Sequence, residues 1–349
     1  SSIDNCKNAR LIVKRKLAAE VGLVPNILAA KSLLLNLSLE LKNKGRLTPK
    51  GVKMSLPKTI YIRRATHMAT VIDQMTAIYV FVADFLQMHP ELANWRDSPN
   101  AEPAFSDAEV ITIALMQSCL GVDKLKKAYQ HMRDNYGSAF PKVCSYKQWI
   151  GRVHKLSDIV GKLLITLRQN DEIKLYLIDS KPIPVSKPIR HGRVRLLRED
   201  GAYFGKSSTG WFFGFKLHVL RNINGAIVDA VLTPGNWHDR DPVLALTTAT
   251  DGGIVLADLA YRGPETINIL AEEVDLLLIT RADAPAKREL ISSVRQNIET
   301  LFSQLWHLFI DRIFSRSWLG LWNTLKLKLV AYNLRLAGIV SFYPTQDSG

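Results

Sequence analysis

The sequence predicts an α/β fold in which a mixed sheet flanked by helices follows a helical N-terminal region, and three patterns carry that expectation. LYLI before Asp179 and IVLA before Asp258 are short, unbroken apolar runs of the kind found in strands buried on both faces. Between about residues 68 and 170 the apolar residues recur instead at intervals of three and four, the period of an amphipathic helix. Asn224-Gly225 separates WFFGFKLHVL from AIVDAVLT and supplies the positive φ angles of a tight hairpin turn.

Taken in order, residues 1–67 form a basic extension that mixes an amphipathic segment with a turn-rich stretch, and they look appended. VIDQMTAIYVFVADFL is the first helix of the region 68–170, and FSDAEVITIALMQSCL opens with Ser106 and Glu109 spaced as a capping box. The segment SYKQWIGRVHKLSDIV places Trp149, Val153, Leu156 and Val160 on one face, which suits either a DNA-binding unit or a plain packing helix. Residues 171–340 carry five expected strands, ending with VDLLLIT, and RDPVLALTTAT is the expected crossover helix. In LISSVRQNIETLFSQLWHLFI, residues Leu290, Val294, Ile298, Leu301, Leu305 and Leu308 form an apolar stripe. Residues 341–349 are a tail.

Asp179 and Asp258 each follow an expected strand, and if those strands are parallel neighbours both carboxylates emerge at one end of the sheet, where open α/β sheets place their sites. Glu299 sits one position past Ile298, at the margin of the helical stripe, so docking that stripe on the sheet swings it toward the aspartates. Three converging acids repel one another unless a cation neutralises them, and hard oxygen ligands suit Mg²⁺ or Mn²⁺. That combination fits a two-metal phosphoryl-transfer site; strand-end aspartates that merely cap turns are the alternative.

Composition narrows the rest. The net charge is +14, but residues 1–67 hold fourteen Lys and Arg against three acids, a surplus of +11 that leaves +3 for the remainder. A second basic stretch, Arg190 to Arg221, has seven Lys and Arg against Glu199 and Asp200 and is a candidate polyanion contact. No uncharged apolar run approaches the 18 or more residues of a membrane span, and the charged opening lacks the apolar core of a secretory signal, so a cytoplasmic protein is expected. Cys6, Cys119 and Cys144 are odd in number and scattered, which argues against a disulfide framework or a thiolate zinc site.

The blocks LYLIDSKPIPVSK, AYFGKSSTGWFFGFKLHVL, LTPGNWHDRDPV, LADLAYRG and RQNIETLFSQL, in that order, resemble the catalytic core of the DDE transposases of bacterial insertion sequences, specifically the insertion sequence 982 family. The resemblance covers roughly Met68 to Ile339. It implies a ribonuclease H-like fold, Mg²⁺ or Mn²⁺ as cofactor, and double-stranded DNA as partner, with a homo-oligomer acting at terminal repeats. The implied chemistry is hydrolysis at the element ends, then 3′-hydroxyl attack on target DNA. It carries the acidic triad onto Asp179, Asp258 and Glu299, and Arg295 onto an arginine that such enzymes place four residues before the glutamate. This chain departs from the pattern at Ser292 and Trp306, where relatives carry Tyr and Lys, and at Leu259-Ala260, where they carry Lys-Gly.

Lys181, Arg193, Arg195, Lys206, Lys216, Arg262 and Arg295 are the candidate DNA contacts. His218 is expected to pack, Asp239 to cap the crossover helix, and Trp211 and Trp237 to lie in the core or to stack on an unpaired base. Two alternatives stay open: a catalytically inactive DNA-binding descendant of a transposase, and a metal-dependent hydrolase using His191, His218, His238 and Asp239. Deleting residues 1–67 is expected to weaken non-specific DNA affinity and flatten its salt dependence more than it lowers metal-dependent cleavage. Binding titrations at several salt concentrations beside a cleavage assay check this, and a truncated chain that no longer folds overturns the boundary.

Overall fold

The computed structural model describes residues 70–95, 103–168, 174–193, 195–208, 210–283, 288–311 and 313–341. The expected extension 1–67, and residues 342–349 of the expected tail, lie outside them.

Five helices come first: α1 (Val71–Met88), α2 (Asp107–Cys119), α3 (Leu125–Tyr136), α4 (Tyr146–Lys155) and α5 (Ser157–Leu167). The Ser106–Glu109 capping box forms, with Ser106 N donating to Glu109 Oε2 at 2.6 Å and Glu109 N to Ser106 Oγ at 3.2 Å. Thr70 and Asp73 cap α1, and Ser145 and Gln148 cap α4, in the same reciprocal way. By length and composition α1 would pass as a membrane span, yet it carries Asp73 and Asp84 and packs Ile78, Val82 and Phe85 into the core beside α2. Trp149, Val153, Leu156 and Val160 are all buried as expected, but the segment breaks at Leu156 into two helices.

The sheet follows, with β1 (Leu175–Ser186), β2 (Tyr203–Ser207), β3 (Gly210–Asn222), β4 (Ile227–Pro234), β5 (Gly253–Leu256) and β6 (Leu276–Ile279). Its order is β2-β3-β1-β5-β6, with β4 also on β3. The pairs β1/β3, β2/β3 and β3/β4 are antiparallel, while β1/β5 and β5/β6 are parallel. Four strands joined by antiparallel pairs, β1 to β4, continued by β5 and β6 in parallel make this a ribonuclease H-like mixed sheet. On one face α6 (Val243–Thr247) and α7 (Pro264–Glu273) bury Tyr176, Ile178, Leu220, Val255 and Leu278. On the other lie α8 (Arg288–His307) and α9 (Trp318–Leu336), tied down by Arg221 Nη1 donating to Asn297 O and by the Phe215–Trp318 ring contact.

Several expectations need correction. β1 does not end at Ile178 but runs through Pro182 and Pro184 to Ser186, because only one of its edges is paired there and an edge strand tolerates missing N–H groups. Strand β2 was not anticipated; Gly205 lets it form, since a Cβ there would stand 2.3 Å from Gly235 O. The hairpin uses positive φ at Gly225 alone, with Gly225 N donating to Asn222 O at 3.1 Å and Asn222 N to Ala226 O at 2.9 Å, so the turn bulges rather than closing in two residues. The crossover helix is only five residues long and Pro242 stands at its N-cap, without side-chain capping, so Asp239 does not cap it. Trp211 and Trp237 are exposed, not core. In α8, Ile298, Leu301, Leu305 and Leu308 are buried as the stripe requires; the side chains of Leu290 and Val294 lie outside the described set.

Helix α9 escaped the periodicity argument because it is buried nearly all round, leaving no polar face to alternate with an apolar one. Its polar residues are pegs. Asn333 exchanges two 2.9 Å hydrogen bonds with the backbone of Ile227, Asn323 Nδ2 donates to Val153 O at 2.6 Å, and Lys326 Nζ donates to Ser157 O at 2.6 Å. Lys328 is fully buried against Leu308 O, and burial pulls its ammonium down to about 8. Cys119 is also buried, which pushes its thiol up to about 12 and makes it an inert packing residue, as its isolation in sequence implies.

Two groups of the β3–β4 hairpin, the buried His218 and the half-buried Asp229, titrate in opposite senses. Burial lowers His218 to about 4 and raises Asp229 to about 6. Because the unfolded chain takes up a proton at His218 near pH 6.5 before the folded chain does, this residue costs stability as pH falls from about 6.5 to 4. Asp229 works the other way, since the folded chain holds its proton longer and stability is lost as pH rises from about 4 to 6. The two slopes offset, so relative to the unmutated chain His218→Gln is expected to make stability fall more, or rise less, with rising pH across this window, and Asp229→Asn to do the reverse. Each difference reaches about 3 kcal/mol, and denaturant unfolding at several pH values measures it.

Candidate active site

The acids are positioned by strand register. β1 and β5 pair at Leu175↔Ile254, Tyr176↔Val255 and Leu177↔Leu256, and Asp179 and Asp258 each lie two residues beyond the last pair. Side chains alternate along a strand, so both carboxylates take the face used by Leu177 and Leu256. β5 stops here and β1 continues, which leaves the far half of β1 with a free edge. Over that edge opens a cleft of about 1320 Å³ lined by Asp179, Asp239, Asp258 and Glu299. Glu299 reaches it from α8, one residue after the buried Ile298, as the stripe argument requires.

Each acid has a distinct environment. Burial raises the Asp179 carboxyl above its ordinary value, opposed by the Ser180 N–H at 2.8 Å and by the charges of Lys181 and Arg295. Burial also acts on Asp258, but the Leu259 N–H at 2.9 Å and the Arg295 and Arg281 guanidinium groups, at 3.1 and 3.5 Å, bring it below its usual value. Arg295 is largely buried and so neutralises Asp258 from within. Among the described residues no three acidic or histidine side chains are gathered tightly enough to hold a metal ion. The donor set nonetheless fits a hard cation: four carboxylates share one cleft, one is desolvated, and one already has guanidinium groups where a cation would sit.

Asp239 is the acid that sequence reasoning misplaced. It approaches from the opposite face of the sheet, where its Oδ1 accepts from Ser180 Oγ and from Lys216 Nζ, both at 3.1 Å. Lys216 also donates to Trp237 O at 2.7 Å, so its charge is largely spent inside the protein. Behind this pair His218 is buried as expected, between Thr233 Oγ1 at 2.9 Å and the Tyr261 hydroxyl at 3.3 Å. The sequence signal for Asp239 was its place in the block LTPGNWHDRDPV, where helix-start spacing pointed elsewhere.

Of the seven candidate DNA contacts, Lys181, Lys206, Lys216 and Arg295 line the cleft. Arg193 and Arg195 are exposed outside its lining, and Arg262 pairs with Asp283 at 2.9 Å. Lys187, which the sequence reading passed over, joins the lining, as do Trp211 and Trp306. The Lys181 ammonium lies 5.7 Å from the Phe302 ring and Lys206 5.9 Å from Trp211. The histidines of the hydrolase alternative do not converge: His191 packs on Phe204, His218 is enclosed, and His238 stays at the surface.

No curated protein and no solved structure matches this chain. Residues 169–310 match the family model of the transposase DDE domain, and this is the segment that supplies all four acids of the cleft, so the match supports a transposase of the DDE type.

Proposed function

We propose that the cleft catalyses metal-dependent cleavage of DNA strands at element ends and their transfer into target DNA, with Asp179, Asp258 and Glu299 as the catalytic acids. The observation that carries this reading is the parallel β1–β5 register, which sets Asp179 and Asp258 side by side at a cleft that Glu299 also lines. These three carboxylates are the groups that would hold Mg²⁺ or Mn²⁺, which when bound would activate the attacking oxygen and stabilise the leaving one.

The protein's own contributions follow from its contacts. The Ser180 N–H fixes the orientation of Asp179, and Arg295 keeps Asp258 ionised. Lys181, Lys187 and Lys206 provide positive charge along the cleft for a phosphate backbone. Ser180 Oγ is engaged by Asp239, and His218, opposite it on β3, has its two ring nitrogens on Thr233 and Tyr261, so among the described residues no activated side-chain nucleophile is at hand and water or a DNA 3′-hydroxyl attacks phosphorus directly. Double-stranded DNA with terminal repeats is the partner and a homo-oligomer the working form in bacterial cytoplasm; the finer assignment, to the insertion sequence 982 family, rests on the sequence blocks. A second reading, an inactive DNA-binding descendant, is favoured by the exposed Leu259 beside Asp258, where relatives have Lys.

Asp179→Asn is expected to abolish cleavage and strand transfer while DNA binding persists, and Glu299→Gln to lower them at least a hundredfold, roughly what loss of one transition-state-stabilising group costs. Denaturing gels of the products with Mg²⁺ and Mn²⁺ measure both; full activity in either variant, or a covalent protein–DNA adduct, would overturn the mechanism. An inactive unmutated chain that still binds DNA would favour the second reading. Arg295→Gln, which leaves Asp258 with the more distant Arg281 guanidinium, is expected to tighten Mn²⁺ binding in the absence of DNA, read by electron paramagnetic resonance.

A further inference from the structure

Away from the acids, a smaller cleft of about 310 Å³ opens between α2, α3, α4 and the start of α9. Gln117 of α2 lines it, is only 1% exposed, and has, among the described residues, no hydrogen-bond partner for either its amide oxygen or its amide nitrogen. A buried polar group left unpaired costs about 1–3 kcal/mol, and such a group in a cleft wall asks for something that completes it. Helix α4 is built around the same opening. Trp149 and Val153 turn into the core, while Tyr146, Ile150 and His154, each one turn apart, line the cleft.

The remaining lining defines the ligand. Lys124, Lys126 and Arg316 are exposed cations around the opening, and the acid there, Asp123, is paired with Lys127 at 2.8 Å. Two aromatic rings stand beside them: the Lys126 ammonium lies 5.9 Å from the Tyr146 ring and Lys124 4.7 Å from the Phe314 ring, which is exposed. The volume is at the small end of ligand pockets, enough for one nucleotide and too little for a duplex. Cations suit a phosphate and the rings suit a base. A glutamine amide offers a donor beside an acceptor, the pattern that matches the N6 donor and N7 acceptor of adenine. A phosphate alone would leave the amide and the rings unused, and an apolar ligand would leave the amide unpaired.

We propose that this cleft binds a single unpaired nucleotide, adenine preferred, with Lys124, Lys126 and Arg316 on its phosphate and the Gln117 amide on its base edge. The inference rests on nucleic acid as the partner proposed above but uses none of the carboxylates. The same chemistry describes an unpaired residue in a DNA strand and a free adenine nucleotide, and the test separates them.

The full chain, in chelator and therefore without cleavage, is irradiated with a single-stranded oligonucleotide carrying azidoadenine, or with azido-AMP, and the adduct is mapped by mass spectrometry. Adducts are expected in the peptides carrying Tyr146, His154 or Phe314, competed more strongly by adenine-bearing than by thymine-bearing strands. Stronger competition by strands than by AMP assigns the site to DNA, and the reverse assigns it to the free nucleotide. Gln117→Met is expected to lower affinity for the adenine probe about tenfold and to hold or raise the thermal midpoint, because it removes an unpaired buried amide. Adducts confined to other segments, equal competition by thymine, unchanged binding by the Met variant, or a lowered midpoint would each overturn the proposal. Cross-linking that survives while cleavage fails would leave it standing and count only against the chemistry proposed for the acids.

Discussion

Three residue pairs of parallel β-structure govern this molecule. The register Leu175↔Ile254, Tyr176↔Val255 and Leu177↔Leu256 aligns two chain segments almost eighty residues apart, and both run two residues further to an aspartate. A slip of one residue would send one of the two carboxylates to the opposite face, because side-chain direction reverses at every step. The register is held by burial on both sides: Tyr176 and Val255 pack into the cluster under α6 and α7, while Leu177 and Leu256 are enclosed on the other face. The apolar runs that identify these strands are therefore also what hold the acids in place.

The glycines of the sequence blocks have the same kind of structural reason. β2, β3 and β4 converge at Gly205, Gly214 and Gly235, where added Cβ atoms would lie 2.3 to 2.6 Å from backbone oxygens. Two of the sequence blocks, one holding Gly205 and Gly214 and the other Gly235, thus meet in one close-packed junction, and it supports the wall of the cleft that carries Lys206 and Trp211. Helix α9 does similar work on the far side. Its asparagine and lysine pegs reach the start of β4 and the backbones of α4 and α5, so the helical region and the sheet share a helix. Hydrogen bonds of this kind contribute about 1 kcal/mol each, and their greater effect is to fix how the buried helix is rotated, since an unpaired buried amide or ammonium would cost more than the bond gains.

The electrostatics of the cleft follow from the same arrangement. Where β5 stops and β1 goes on, the sheet opens an edge, and acids arrive there from both faces: Asp179 and Asp258 from one, Asp239 from the other. Lys216 and Ser180 neutralise and orient Asp239, Arg295 neutralises Asp258, and Asp179 retains a desolvated carboxyl with, among the described residues, only its neighbour's N–H as hydrogen-bond donor. Within residues 169–310, the segment that matches the family model, this leaves Asp179 and Glu299 as the cleft acids with the fewest partners among the described residues, on a cleft whose lining also carries Lys181, Lys187, Lys206, Trp211 and Trp306.

The sequence by itself determined the α/β class, the two central strands, the helix that delivers Glu299 to the cleft and the capping of α2, because each rests on contacts or periodicities within about twenty residues. Only the tertiary structure decided the rest. The length of β1 depended on an unpaired edge that local sequence cannot reveal, since Pro182 and Pro184 read as terminators until a neighbouring strand is known to be missing. Asp239 has the local spacing of a helix cap, and Ser180 and Lys216, distant in sequence, claim it instead. Helix α9 was invisible because burial nearly all round erases the alternation that betrays an amphipathic helix. Trp211 and Trp237 show the converse error: a large aromatic side chain is assigned to the core on transfer free energy, and its exposure is settled by which faces of β3 and of the loop after β4 the tertiary packing leaves uncovered.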